Sequence, residues 1–286
     1  MVKILPQKSK NEYNEIFSEV VKSVIHDEKA SAGKRKHLKI LEESADYVYV
    51  YDNIDYNARC YTLKNPANID KKYIKNLCCF TPTLQKLPYV PKENIIVEWL
   101  DKNLDKNMLM AVNGIVFMNE VADAEFIKNW ANKHLHKEQM RYFKIENLPY
   151  GKTEGISWFR NGLVFVNCGS IMKNIAVDKD RFFFGEKDSD TFESDFKLAL
   201  IHEIRHNAQD NLYLEEKHLQ WINRDKEEDA EEYAKSFVYE HFAVLTKRNY
   251  KVKELENTMR TFLKKERLKD KKNNNIKKVI SNDFSL

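Results

Sequence analysis

His202 and His206 stand four residues apart with Glu203 between them, in the stretch Leu198-Ala199-Leu200-Ile201-His202-Glu203-Ile204-Arg205-His206. On an α-helix that offset sets two side chains on one face, one turn apart. Their imidazoles can converge on one divalent cation, and Zn²⁺ is the metal best suited to neutral nitrogen ligands. Glu203 can reach a metal-activated water and take its proton without binding the metal itself. A chain with this content of His and Glu holds an H-E-x-x-H by chance only about 0.02 times, so the pattern calls for a chemical reading.

The neighbours supply the helix that the pattern needs. Asp190 with Glu193 three residues on reads as an N-cap and capping box. Phe192, Phe196, Ala199, Leu200, Ile204 and Ala208 then recur at helical spacing. A catalytic zinc takes three protein ligands and keeps one position open, so a third ligand is required. Downstream, Ala230, Tyr233, Ala234, Phe237, Val238, His241, Phe242 and Leu245 mark the apolar stripe of a second helix. Its acidic start offers Glu227, Glu228, Asp229, Glu231 and Glu232, any of which could also be a solvated carboxylate complementing the helix dipole. That plainer account fits Glu228 and Glu232 best.

His202-Glu203-x-x-His206 followed by Glu227-x-x-Ala230-Glu231 resembles the gluzincin branch of zinc metallopeptidases. The extended forms His202-Glu203-Ile204-Arg205-His206-x-x-Gln209 and Arg224-x-x-Glu227-x-Asp229-Ala230 are similar to uncharacterised predicted metallopeptidases of bacteria and their mobile elements. The resemblance spans Asp190 to about Tyr250. It implies that Glu227 is the third zinc ligand, with Glu228 and Asp229 as alternatives. It also implies that Glu231, one residue after the small Ala230, stands where such proteins brace a histidine from the second helix. A His or Tyr that donates to the tetrahedral intermediate is implied as well; His218, Tyr233 and His241 compete for that role. His218 as a third histidine ligand fits less well, because no glycine turn separates His206 from Trp221.

Composition frames these residues as part of a globular chain. The 286 residues are 42% hydrophobic and 32% charged, with seven Gly and six Pro, which excludes a low-complexity or loop-dominated protein. No run of eighteen apolar residues appears, so no membrane span is expected. Met1–Lys8 has no apolar core of a secretory signal. Cys60, Cys78, Cys79 and Cys168 show no CxxC spacing and read as free thiols in a reducing compartment, hence a cytoplasmic expectation. The net charge of +4 is uneven: Lys247 to Leu286 holds 13 Lys/Arg against five Asp/Glu, leaving −4 on residues 1–246. That basic, asparagine-rich tail could meet nucleic acid through phosphates, although a solvated helix end with a mobile terminus is the simpler reading.

In chain order, Asn11 to His26 carries an apolar helical stripe, and Lys36 to Ser44 reads as a second helix. Tyr47–Tyr51 and Ala58–Leu63 predict a hairpin, its tyrosines resembling an aromatic binding face but read as one side of a packed sheet. Pro82, Pro88 and Pro91 mark the best internal boundary. Asn94 to Leu104 fits strand or short helix, and Met108–Met118 predicts a hairpin turning at Asn113-Gly114. Ala122 to His136 is helical, with His134 and His136 expected at the surface. Ile156–Val166 predicts another hairpin, turning at Asn161-Gly162; if Leu163–Val166 is a sheet edge, an extended peptide could pair with it.

The sequence therefore predicts an α+β, zincin-like fold. A small sheet backs the H-E-x-x-H helix, a second helix bears the glutamate, and an N-terminal α/β accessory region precedes them. Residues 1–91 form that region, 92–250 the metallopeptidase domain, and 251–286 the basic tail. The expected activity is Zn²⁺-dependent hydrolysis of peptide bonds in a protein or peptide substrate. The rival is a nucleic-acid-associated protein with a structural zinc.

Overall fold

Ser9 opens the first helix, α1 (Lys10–Ala30), with a capping box: its backbone N–H donates to Glu12 Oε2 (2.7 Å) and its hydroxyl accepts from the Glu12 N–H (3.3 Å). Tyr13, Phe17 and Val21 form the buried stripe of this helix, as the spacing requires. The structure, a computed structural model, describes residues 9–30, 38–52, 59–70, 73–82, 84, 90–109, 112–118, 124–140, 143, 154–158, 162–177, 188–209, 223–241 and 245. His218 and the basic tail lie outside them.

Leu38–Glu43 (β1), Tyr47–Asp52 (β2) and Arg59–Lys64 (β3) make a three-stranded antiparallel sheet. The predicted pairing of Tyr47–Tyr51 with the run that ends at Leu63 is present, but Leu38–Glu43, expected within a helix, is a strand. Its weak helical pattern yields to pairing with β2, including a register shift between Ile40 and Glu42. Tyr47 and Tyr49 share a face, with Tyr49 against the His136 ring (4.1 Å), while Val48 is buried on the other.

A second, four-stranded sheet is built around the strongest apolar strands. After a short helix α2 (Tyr73–Leu77), Cys78–Phe80 (β4) joins it at one edge. Helices α3 (Glu93–Asn103) and α4 (Lys106–Leu109) follow, then Gly114–Met118 (β5). Helices α5 (Ala124–His134) and α6 (Lys137–Met140) lead to Gly155–Trp158 (β6) and Leu163–Asn167 (β7). The strand order is β4-β5-β7-β6, parallel except for β6. The sheet thus takes β4 from before residue 91 and its other strands from after it.

Period-two alternation divides this sheet between two cores. Cys78, Phe80, Ile115, Phe117, Val164 and Val166 pack with helices on one face; Cys79, Val116, Met118, Leu163 and Phe165 pack on the other with Ile127, Trp130 and Ala131 of α5. Asn167 ends β7 and caps α7 (Cys168–Val177), its Oδ1 accepting from the Ser170 N–H at 3.1 Å. Cys78, Cys79 and Cys168 are free and buried.

Three sequence expectations change here. Met108 and Leu109 belong to α4, so Asn113-Gly114 does not turn a hairpin. A Cβ on Gly114 would come within 1.9 Å of the Trp130 ring, so this glycine serves close packing. Gly162 does supply a turn, at φ 63°, between the antiparallel β6 and β7. Strand β7 is interior, so the sheet edge beside it is β6. His134 stacks on Trp130 (5.1 Å) and His136 faces Tyr49 and Glu42, so both are half-buried in packing roles.

Two long helices complete the fold: α8 (Asp188–Gln209) and α9 (Asn223–Glu240). Helix α8 lies across β6 and β7, with Phe192, Phe196, Leu200, Ile201, Ile204 and Ala208 fully buried. It starts two residues before Asp190, and Glu193 is drawn inward to accept from the Leu245 N–H (2.7 Å) and pair with Lys197 (2.7 Å). Helix α9 packs along α8 through Ala230, Tyr233, Ala234 and Phe237. No described helix is long and apolar enough to cross a membrane.

Candidate metal centre

The helical offset does to His202 and His206 what the sequence requires. Both leave the same side of α8, half-buried, with ring centroids 4.5 Å apart and planes nearly perpendicular. Their Nε2 atoms are 2.9 Å apart. Helix α9 brings Glu227 to them, with Oε2 3.3 Å from His202 Nε2 and Oε1 3.3 Å from His206 Nε2. Among the described residues this is the group of His, Cys, Asp or Glu arranged to hold a metal ion. The donor set fits a cation: ligands about 2.0–2.1 Å from a tetrahedral ion lie roughly 3.3 Å from one another. The Glu227 side chain is 67% exposed, so the group opens to solvent rather than closing inside the core.

Electrostatics favours the ligand form of the first histidine. Burial lowers the His202 pKa below the usual imidazole value, and the neighbouring His206 lowers it further, while Glu227 pulls the other way. A neutral imidazole is what a metal binds.

Glu203 faces the sheet edge. A Cβ on Gly155 of β6 would meet Glu203 Cγ at 2.6 Å and Oε1 at 3.0 Å, so the glutamate stem lies directly on the backbone of the edge strand. The candidate base and the edge strand β6 therefore touch.

The groups around the histidines differ from those the resemblance implies. Glu231 is on the Glu227 side of α9 but lies in solvent, where Lys235 takes its carboxylate (2.5 Å) and lowers its pKa, with a smaller lowering from His202. The atom that meets an imidazole is Gln209 Oε1, 2.9 Å from His206 Nδ1. Gln209 Nε2 in turn donates to Lys226 O (2.8 Å) and Asp229 Oδ2 (2.7 Å). Asp229 is not a spare ligand: Arg205 grips both its oxygens, Nε to Oδ2 at 2.7 Å and Nη2 to Oδ1 at 2.8 Å. Arg205 is itself buried over the Tyr233 ring, 4.8 Å from guanidinium carbon to centroid.

Two of the three candidate stabilisers of an intermediate are placed elsewhere. Tyr233 is buried between Arg205 and Phe237, and burial raises its phenol pKa. It lies six residues from Glu227, about 120° round the helix from it. His241 follows the far end of α9, roughly 21 Å along the axis from Glu227 at 1.5 Å per residue. Its ring meets Phe237 (4.6 Å) and its carbonyl accepts from Trp99 Nε1 (2.9 Å). Glu228 and Glu232 are exposed, as the plainer account of the acidic run expects.

Sequence reasoning passed over Gly155, gave Arg205 and Gln209 no role beyond their place in the extended motif, and treated Asp229 only as an alternative ligand. Gln209 did carry a signal, standing three residues after the second histidine and so on its side of the helix. Nothing in sequence joins Gly155 to a residue 48 positions later. Compared with known proteins, the chain matches no family model, no curated protein and no solved structure, so the resemblance to gluzincins rests on the motif residues alone.

Proposed function

We propose that this protein is a zinc-dependent peptidase of gluzincin type, with His202, His206 and Glu227 as metal ligands and Glu203 as general base. The observation that carries this reading is the convergence of two imidazole nitrogens and one carboxylate within 3.3 Å, with Glu203 on the same turn. A zinc ion held by these residues would supply Lewis acidity and acidify water at the site. Glu203 accepts the proton of the attacking water and passes it to the leaving amine. Gly155 keeps the edge of β6 flush with Glu203, so that an extended substrate adding to the strand by main-chain pairing presents its carbonyl beside the base. An antiparallel edge strand beside an H-E-x-x-H helix, with a glutamate from the next helix, supports a zincin-like fold for this part of the chain.

The test is metal content and proteolysis measured side by side. The purified protein should carry about one zinc, and His206→Ala should lose it. Glu203→Gln should keep the zinc and lose at least about 10³-fold of its activity on unstructured polypeptides, read by mass spectrometry. Zinc content unchanged by His206→Ala, or full activity in Glu203→Gln, overturns the assignment.

A further inference from the structure

Resting on the metal-centre reading above, we propose that Arg205, Asp229 and Gln209 form a clamp that positions two of the three ligands before any metal arrives. Arg205 has only donors, so Asp229 meets it as a carboxylate with both oxygens engaged. Asp229 Oδ2 and Lys226 O are acceptors, so the Gln209 group facing them must be the NH₂. That fixes the other end of the amide: Oε1 points at His206 Nδ1, 2.9 Å away, and can only accept. His206 Nδ1 therefore carries the proton, and Nε2 is left with its lone pair toward His202 and Glu227. The chain of donors and acceptors admits no other neutral arrangement.

The same bonds act on the third ligand. Lys226 and Asp229 flank Glu227 on the first turns of α9, and both are tied to α8, through Gln209 and Arg205. Glu227 is exposed and its own contacts do not bury it. Its backbone is held by its neighbours, and its carboxylate is presented from a pinned turn. The residues of the clamp are positioning residues that touch neither metal nor substrate.

The test uses the full-length protein stripped of metal, Zn²⁺ as the probe with a competing chelator, and nitrogen NMR of the histidine rings to locate the imidazole proton. In the wild type His206 should carry its proton on Nδ1. Gln209→Met, which keeps the volume and removes the hydrogen bonds, should release that preference and weaken Zn²⁺ binding about 10–100-fold. Asp229→Asn sets an NH₂ against the donor-only guanidinium whichever way it turns, and should also weaken Zn²⁺ binding without altering a ligand. A merely structural role would lower thermal stability in both variants and leave affinity and tautomer unchanged. Wild-type affinity in Gln209→Met, or a neutral wild-type His206 protonated on Nε2, overturns the proposal; the second needs no variant to fold. Failure of the parent reading looks different: the wild type binds no Zn²⁺, or His206→Ala binds it as tightly.

Discussion

Near the start of α8, Glu193 and Lys197 lie buried one turn apart, carboxylate to amine 2.7 Å, and the Leu245 N–H donates to the same oxygen. About two and a half turns on, His202 and His206 are also one turn apart, yet the carboxylate that meets them comes from another helix and stays exposed. At the first end charge cancels charge inside the fold, and Lys197 lies toward the Trp99 ring at 5.8 Å. At the second end, two imidazole nitrogens and a carboxylate converge in a group that could hold a cation. One amphipathic helix thus uses the same four-residue spacing for a fully compensated pair and for a site that a ligand can complete. The difference lies in burial and in where the opposite charge comes from.

The largest effects should separate the two ends by stability. Glu193→Ala or Lys197→Ala takes its close partner from a buried charge and should cost about 3–5 kcal/mol in chemical denaturation. Replacing both together, Glu193→Gln with Lys197→Met, should recover most of that loss. A cost below about 1 kcal/mol for either single change would mean that the pair is hydrated, and the contrast with the open end would disappear. Next in size is Gly155→Ala, which pushes a methyl into the Glu203 stem and displaces the base. A misplacement near 1 Å is worth about 10²-fold in rate. Kinetics should show a fall of that order in kcat/KM with zinc retained, and unchanged kinetics would mean that Glu203 is free to move away from β6 without consequence.

A third cation tests whether the carboxylate matters as much as the burial. Lys64 on β3 places its amine against the Tyr73 hydroxyl and Val112 O (3.1 Å), and among the described residues no carboxylate pairs with it. Burial pushes its pKa down to about 7. Between about pH 7 and its ordinary value near 10.5, the unfolded chain binds the proton and the folded chain does not. Stability from this group is therefore fully present above that range and is lost as pH falls toward 7, with a slope of at most about 1.4 kcal/mol per pH unit. Melting temperatures from pH 7 to 9 should rise in the wild type relative to Lys64→Met. Parallel curves would show the amine to be solvated.

What the sequence disclosed follows from how spacing becomes direction. Along one helix, four residues is one turn, so His202, Glu203, His206 and the buried stripe of α8 could be placed without coordinates. The strand Leu163–Val166 and the Gly162 turn were legible for the same reason, since both are local. Gly114 misled because glycine answers two needs, positive φ and close approach, and only the position of Trp130 distinguishes them. Leu38–Glu43 misled because its partner strand, not its own pattern, makes it extended. In the acidic run, Glu227, Asp229 and Glu231 differ little in chemistry. Their separate fates as ligand candidate, clamp and surface ion pair depend on what α8 sets opposite each one.

The smallest expected effect is the sharpest check of the comparison, and it falls on Glu227. If this carboxylate were a structural partner of the histidines, as Glu193 is of Lys197, its loss would weaken the metal-free protein. Exposed, and opposite imidazoles of which His202 has a lowered pKa, it should contribute little at neutral pH. Glu227→Gln should therefore leave metal-free stability within about 0.5 kcal/mol of the wild type. The wild type should gain roughly 2.7 kcal/mol when Zn²⁺ is added at 100 times its Kd. At that same Zn²⁺ concentration the variant should gain much less, because a lost ligand weakens binding. Denaturation with and without Zn²⁺ separates the two quantities. A metal-free loss of several kcal/mol, with the zinc-dependent gain intact, would make Glu227 a second Glu193 and move the third ligand elsewhere.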